Sequence, residues 1–307
     1  MESNRQGASF SPATRQLTRA YTTPPPAPGF IGEGHTAVEV VRPTALAASD
    51  PFVLLMDDRL DIARRRQIGG AHPHAGLETV TLVLEGTLHD RDEGALSAGD
   101  LIWMTAGRGI IHSEAVEAVG RSRVLQLWIA LPAEYRDAAP GFEIVRKDAA
   151  PVVSGPGVLG RLYSGASGTL RAGTRNLVPV TLLDLTMKPG ATFGQALPPS
   201  YNGFAYVLEG GVTVGGRWIE AGDVGWFAPD AATELELVAG ESGARVVIYA
   251  GEPVAEPLVQ HGPFVAGSRH EIAELYRRFH AGDFASMSEL ARGQRHGKRT
   301  TDERRAP

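Results

Sequence analysis

Between about residue 32 and residue 290 the chain is written in short apolar segments punctuated by glycine and proline. Segments 79–84, 124–130, 178–187 and 245–249 are rich in Val, Leu, Ile and Thr, are of strand length, and have turn residues on either side. Before the C-terminus no helical period is long enough for the crossover of a parallel sheet. The pattern therefore predicts an all-β fold, a barrel or sandwich. One helix is signalled near the end. Ser268 and Glu271 have capping-box spacing, in which the hydroxyl and the carboxylate each satisfy a free backbone N–H. Ile272, Leu275, Tyr276 and Phe279 then recur on one face, with Gly282 as the stop, which reads as a packing helix over a sheet or edge strand.

The pattern is also repeated. Val83-Leu84-Glu85-Gly86 leads to Gly99-Asp100 and Leu101-Ile102-Trp103-Met104, and Val207-Leu208-Glu209-Gly210 leads to Gly222-Asp223 and Val224-Gly225-Trp226-Phe227. The valine-to-glycine spacing is sixteen residues in the first copy and fifteen in the second. Two similar β-domains account for this. The expected division is a disordered tail over 1–30, a first domain over 31–140, a second domain with the closing helix over 141–285, and a disordered tail over 286–307. The N-terminal tail is rich in Ser, Thr, Pro and Gln and ends in Pro24-Pro25-Pro26, while the C-terminal one is dense in charge and has no apolar period.

Composition narrows the chemistry. The 307 residues include no cysteine, which removes disulfides, thiolate zinc sites, iron–sulfur clusters and cysteine nucleophiles. Any metal must be held by nitrogen and oxygen. The formal net charge of -5 argues against direct nucleic-acid binding. No apolar run reaches the length of about 18 residues that a membrane helix needs, and the polar N-terminus lacks the apolar stretch of a signal peptide. A cytoplasmic, monomeric protein with no membrane association is expected.

Three of the nine histidines form a pattern: His72-Pro73-His74 and, forty residues on, His112-Ser113-Glu114. Positions i and i+2 of a strand project to one face, so each pair points together. Facing strands would bring three imidazoles and a carboxylate to one point, a donor set suited to Fe, Mn, Ni, Cu or Zn with coordination positions left open for a reactant. Glu78 has the same parity as His72 and His74. On spacing alone it competes with Glu114 as the carboxylate ligand.

The segments Gly70-Ala-His-Pro-His-Ala-Gly-Leu-Glu-Thr-Val-Thr81 and Trp103-Met-Thr-Ala-Gly-Arg-Gly-Ile-Ile-His-Ser-Glu114 resemble the signature of the pirin family in the cupin superfamily. Glu256-Pro-Leu-Val-Gln-His-Gly-Pro-Phe264 resembles that family's closing motif. The resemblance, over roughly residues 30–285, implies two antiparallel cupin (jelly-roll) barrels in tandem, a bicupin, with one divalent metal per chain in the first barrel. It implies iron(II) as the usual ion, held by His72, His74, His112 and Glu114, and leaves Glu78 as a pocket residue able to orient a ligand histidine. Two functions follow from it. One is a quercetin (flavonol) 2,3-dioxygenase using O₂, in which Glu114 also accepts the substrate hydroxyl proton. The other is a non-catalytic iron-binding regulator or adaptor whose partner is a transcription factor or a metabolic enzyme.

The second copy departs from the first. Positions matching His72, His74 and Glu78 are Ala196, Pro198 and Asn202, and those matching His112 and Glu114 are Leu235 and Leu237. A slip of one residue would offer Glu234 and Glu236 instead, with no histidine to join them. The second barrel is expected to be structural or a docking surface.

Overall fold

The computed structural model describes residues 14–42, 44, 46–68, 70–90, 94–113 and 116–292. It is predominantly β, as the segment pattern predicts, with two nine-stranded antiparallel sheets. Helices are short: Leu46–Ser49, a 3-10 turn at Ala133–Tyr135, Arg269–Ala281 and a last helical stretch over 287–292. Among the described residues no helix is long and apolar enough to cross a membrane.

The repeat is real down to single hydrogen bonds. In one sheet the neighbours run Gly141–Val145, Leu101–Thr105, Leu77–Glu85, Val116–Ala130, Phe52–Ile68, His35–Val41 and Ala27–Pro28. In the other they run Arg19–Thr22, Asp223–Phe227, Asn202–Val214, Glu234–Gly251, Val180–Met187, Val158–Ser164 and Val152–Gly155. Val80 pairs with Trp103 in the first, and Phe204 with Trp226 in the second. The Gly99 N–H donates to the Val83 carbonyl at 2.8 Å, and the Gly222 N–H to the Val207 carbonyl at 2.9 Å. A forked ion pair recurs as well. Arg123 holds Asp57 at 2.8 and 2.7 Å, and Arg245 holds Asp184 at 3.2 and 2.9 Å, between equivalent strands of the two sheets.

The chain forms two compact units, and neither is one continuous stretch. The first comprises residues 24–149, 174–178 and the chain from 254 onward, and the second comprises 150–173, 179–253 and the N-terminal segment up to 23. Strand Gly141–Val145, which the expected boundary at 140 would assign to the second domain, lies in the first unit's sheet against Leu101–Thr105. The closing helix also belongs there. Its N-cap is Ser268, whose side chain accepts from the Glu271 N–H, its C-cap is left-handed Gly282, and its apolar face packs with Ala75, Phe264 and Phe284. The capping box and the helix are as the sequence predicts, and the helix packs on Phe264 and Phe284 as well as on Ala75, far before it in the chain.

The tails are corrected in part. Residues 1–13 and 293–307 lie outside the described residues, but residues 14–30 and 286–292 do not. Arg19–Thr22 is an edge strand paired with Asp223–Phe227. Arg15 is fully buried, and its guanidinium donates to the carbonyls of Ala232, Tyr201, Pro198 and Ala228. Residues 287–292 are helical, with Met287 and Ala291 buried. Both stretches are polar in composition and gain order from tertiary partners, which local pattern does not encode.

In the second unit, Leu235 and Leu237 are fully buried in a core with Val207, Phe227 and Val246. Glu234 and Glu236 alternate with them on the less buried face. The register is the one without the slip.

Candidate metal centre

Strands Ala71–His74 and Ile110–Ser113 pair antiparallel, with His112 directly opposite His72 and Ile110 opposite His74. Directly opposed residues share a face, and His74 shares it with His72 by the alternation of the strand. The three imidazoles therefore converge, and one ring nitrogen from each lies within 4.8 Å of the others. His74 and His112 are buried, and His72 is the half-buried rim.

The cluster has the marks of a ligand-binding site. The Nε2 atoms of His72 and His112 are 2.9 Å apart. Two cis ligands on one ion at bonds of about 2.0–2.1 Å stand about 3 Å apart, so this spacing is what a shared ion requires. His72 Nδ1 is engaged with the Gly70 carbonyl at 3.0 Å, which fixes that ring and turns Nε2 inward. Neither ring nitrogen of His74 makes a hydrogen bond of acceptable geometry, although the Pro263 backbone approaches the ring. The indole Nε1 of Trp128, whose ring lies 4.8 Å from that of His74, is also buried and unpaired. Orphaned buried polar atoms cost about 1–3 kcal/mol each and are rare, so their concentration at one point signals a missing partner. Burial, and after it the neighbouring His72, push His74 down to about 3. Burial followed by His74 and His72 lowers His112 well below the ordinary range. Both rings are neutral at pH 7, which is the state that binds metal.

The segments that build this cluster are distant in sequence. Gly76, at φ 73°, lets strand Phe264–Ala266 approach, since a Cβ there would lie 1.8 Å from the Val265 carbonyl oxygen. Through that contact the 256–264 motif reaches the histidine strand: Ala75 bridges to Phe264, and Glu256 accepts from Arg136 at 3.0 Å.

Glu114 lies outside the described residues. Glu78 is described, and it is not beside the histidines. Its fully buried carboxyl accepts from Thr105 Oγ1 at 2.8 Å and from the backbone N–H groups of Leu177 at 3.2 Å and Val178 at 3.5 Å. The physical reason is the break at Gly76. Ala71–His74 and Leu77–Glu85 are separate strands in different sheets, so parity counted from His74 does not carry through the left-handed glycine. Trp128, Thr79 and Met104 share the sheet face that meets His74, whereas Glu78 pairs with Thr105 and Ile129 on the other. Burial raises the Glu78 carboxyl against the lowering effect of its donors. Thr105 also lines a cleft of about 210 Å³ with Trp103, Phe142, Glu143 and Arg175, separate from the histidines.

Residues 35–129 match the family model for pirin, and residues 182–285 match that for the pirin C-terminal cupin domain. The chain belongs to the pirin family. It is 36% identical over 244 residues to Pirin-like protein 2 of Arabidopsis thaliana, covering 76% of this chain and 75% of that protein. It is 31% identical over 241 residues to human Pirin, covering 75% and 81%. Among solved structures it resembles a quercetin 2,3-dioxygenase from Acinetobacter baumannii, with TM-score 0.79 and 26% identity over 89% of this chain and 99% of that one. The fold expected from the resemblance, two cupin domains in tandem, is thereby established, and the three histidines lie in the pirin domain of this chain.

Sequence spacing identifies the three histidines but not their surroundings. Trp128 sits in an apolar strand where core packing is the ordinary reading, and Pro263 lies some 190 residues from His74. No local signal marks either as part of the site.

Proposed function

We propose that His72, His74, His112 and Glu114 hold a single divalent ion, iron(II) by preference, and that this pirin is a flavonol 2,3-dioxygenase of the quercetinase type. The observation that carries the reading is the convergence of three imidazoles, with both ring nitrogens of buried His74 left unpaired, in a chain akin to a quercetin 2,3-dioxygenase. When bound, the ion supplies Lewis acidity toward adjacent substrate oxygens and redox chemistry with O₂. The residues of the chain do the rest. The Gly70 carbonyl fixes the His72 ring, Trp128 and the Pro263 backbone enclose His74, and Glu114 accepts the proton of the flavonol hydroxyl. Ring opening then consumes one O₂ and releases carbon monoxide.

The test is anaerobic purification and metal analysis, followed by quercetin in air with flavonol absorbance and oxygen uptake recorded together. Loss of the flavonol band with matching O₂ consumption, absent in His74→Ala, is the expected result. One bound ion without turnover of any flavonol would favour the regulator reading, in which the same ligands serve a partner protein. Full turnover by a metal-free His74→Ala protein would refute the mechanism.

A further inference from the structure

The hairpin tip over residues 29–34 joins strands Ala27–Pro28 and His35–Val41 and carries Phe30. Phe30 is 72% exposed. An apolar ring of this size left in water forgoes most of the stabilisation that burial gives; a single exposed apolar residue is ordinary in itself, and what matters is whether its position is fixed. Here it is fixed. His35 is buried beneath the tip: its Nε2–H donates to Asp58 Oδ1 at 2.8 Å, and its Nδ1 accepts the Ile31 N–H at 3.3 Å. The Gly29 N–H donates to the His35 carbonyl at 2.9 Å, and a Cβ on Gly29 would lie 2.1 Å from His35 Nδ1, so only glycine fits. Held this way, the phenyl ring stands edge to face with two imidazoles, 5.8 Å from His35 and 6.3 Å from His72. His72 is the half-buried member of the cluster, so exposed Phe30 stands beside its most accessible ring.

We infer that Phe30 is the aromatic wall of the ligand site: it stacks on a planar ring of whatever molecule chelates at the histidine cluster and selects aromatic over aliphatic chelators. This rests on the reading of the cluster as a metal site, and it does not require flavonol turnover. The buried His35–Asp58 pair acts as a positioning device for Phe30 and touches no ligand.

The test measures anaerobic binding to the metal-loaded protein for three probes: quercetin, tropolone (a planar aromatic chelator without the flavonol skeleton) and acetohydroxamate (a chelator without a ring). Metal content is measured for each protein. Phe30→Ala should weaken both ring-bearing probes by roughly two- to tenfold, the range of a stacked aromatic pair, and leave acetohydroxamate and metal content unchanged. Phe30→Trp should restore the affinity. Equal weakening of all three probes, or of none, overturns the inference. If wild-type protein ignores quercetin while tropolone is weakened by Phe30→Ala, the inference stands and the flavonol assignment falls. A wild-type protein that takes up no metal overturns both.

Discussion

The Nε2 atoms of His72 and His112 lie 2.9 Å apart on directly opposed residues of two antiparallel strands. Imidazoles so placed share one point in space, with His74 behind them. The strand register, not a flexible loop, sets the spacing, so the geometry is in place before any ion arrives.

Wild-type protein should bind one ion per chain, and ligand binding to the native state alone raises stability by about 2.7 kcal/mol at a hundredfold excess over Kd. Melting curves with and without metal should show that rise. His72→Ala and His112→Ala should abolish it, with affinity losses beyond the 10–100-fold typical of outer partners. An unchanged rise in His112→Ala would remove the cluster as the site.

Glu78 acts on stability. Glu78→Ala strands the Leu177 and Val178 N–H groups and should cost about 1–3 kcal/mol in denaturant unfolding, with metal uptake intact. Glu78→Gln, whose amide oxygen can still accept, should cost less. A folded Glu78→Ala protein without metal would return Glu78 to the histidine centre.

The Asp57–Arg123 fork makes stability depend on acid. Burial alone would raise Asp57, but the hydrogen bonds and charge of Arg123, with Arg59 behind it, hold it below the ordinary carboxylate range. The folded value is the lower one, so the contribution is complete above the unfolded pKa of about 3.9 and is lost as pH falls through the folded value. Asp57→Asn should cost about 3 kcal/mol at pH 7 and flatten the acid limb of urea midpoints measured from pH 7 to pH 3. Parallel acid limbs in the two proteins would show that the pair carries no such linkage.

In the second unit, Leu237→Ala opens a fully buried core and should cost about 2–5 kcal/mol, with metal content unchanged. Loss of the ion in a folded Leu237→Ala protein would contradict the structural role of that barrel.

Much of the fold is legible in the residues. Alternating apolar segments, the doubled Val-Leu-Glu-Gly phrase and the Ser268–Glu271 cap encode local choices, and each appears where the sequence puts it. The histidine triad is legible for the same reason, because i, i+2 spacing on a strand has only one geometric meaning. Domain membership is not. Residues 14–23, 141–145 and 269–281 join units that their position in the chain does not suggest, since sheet edges and apolar helix faces are filled by whichever segment reaches them.

The sequence by itself determined the β architecture, the doubled β-domain and the three imidazoles, through strand-length segments, a repeated phrase and i, i+2 spacing. Only the tertiary structure decided that Glu78 turns from the histidines, that the 256–264 motif closes over His74, and that Phe30 stands beside His72. Those relationships depend on a left-handed turn at Gly76 and on contacts between segments far apart in the chain, and neither leaves a trace in local pattern.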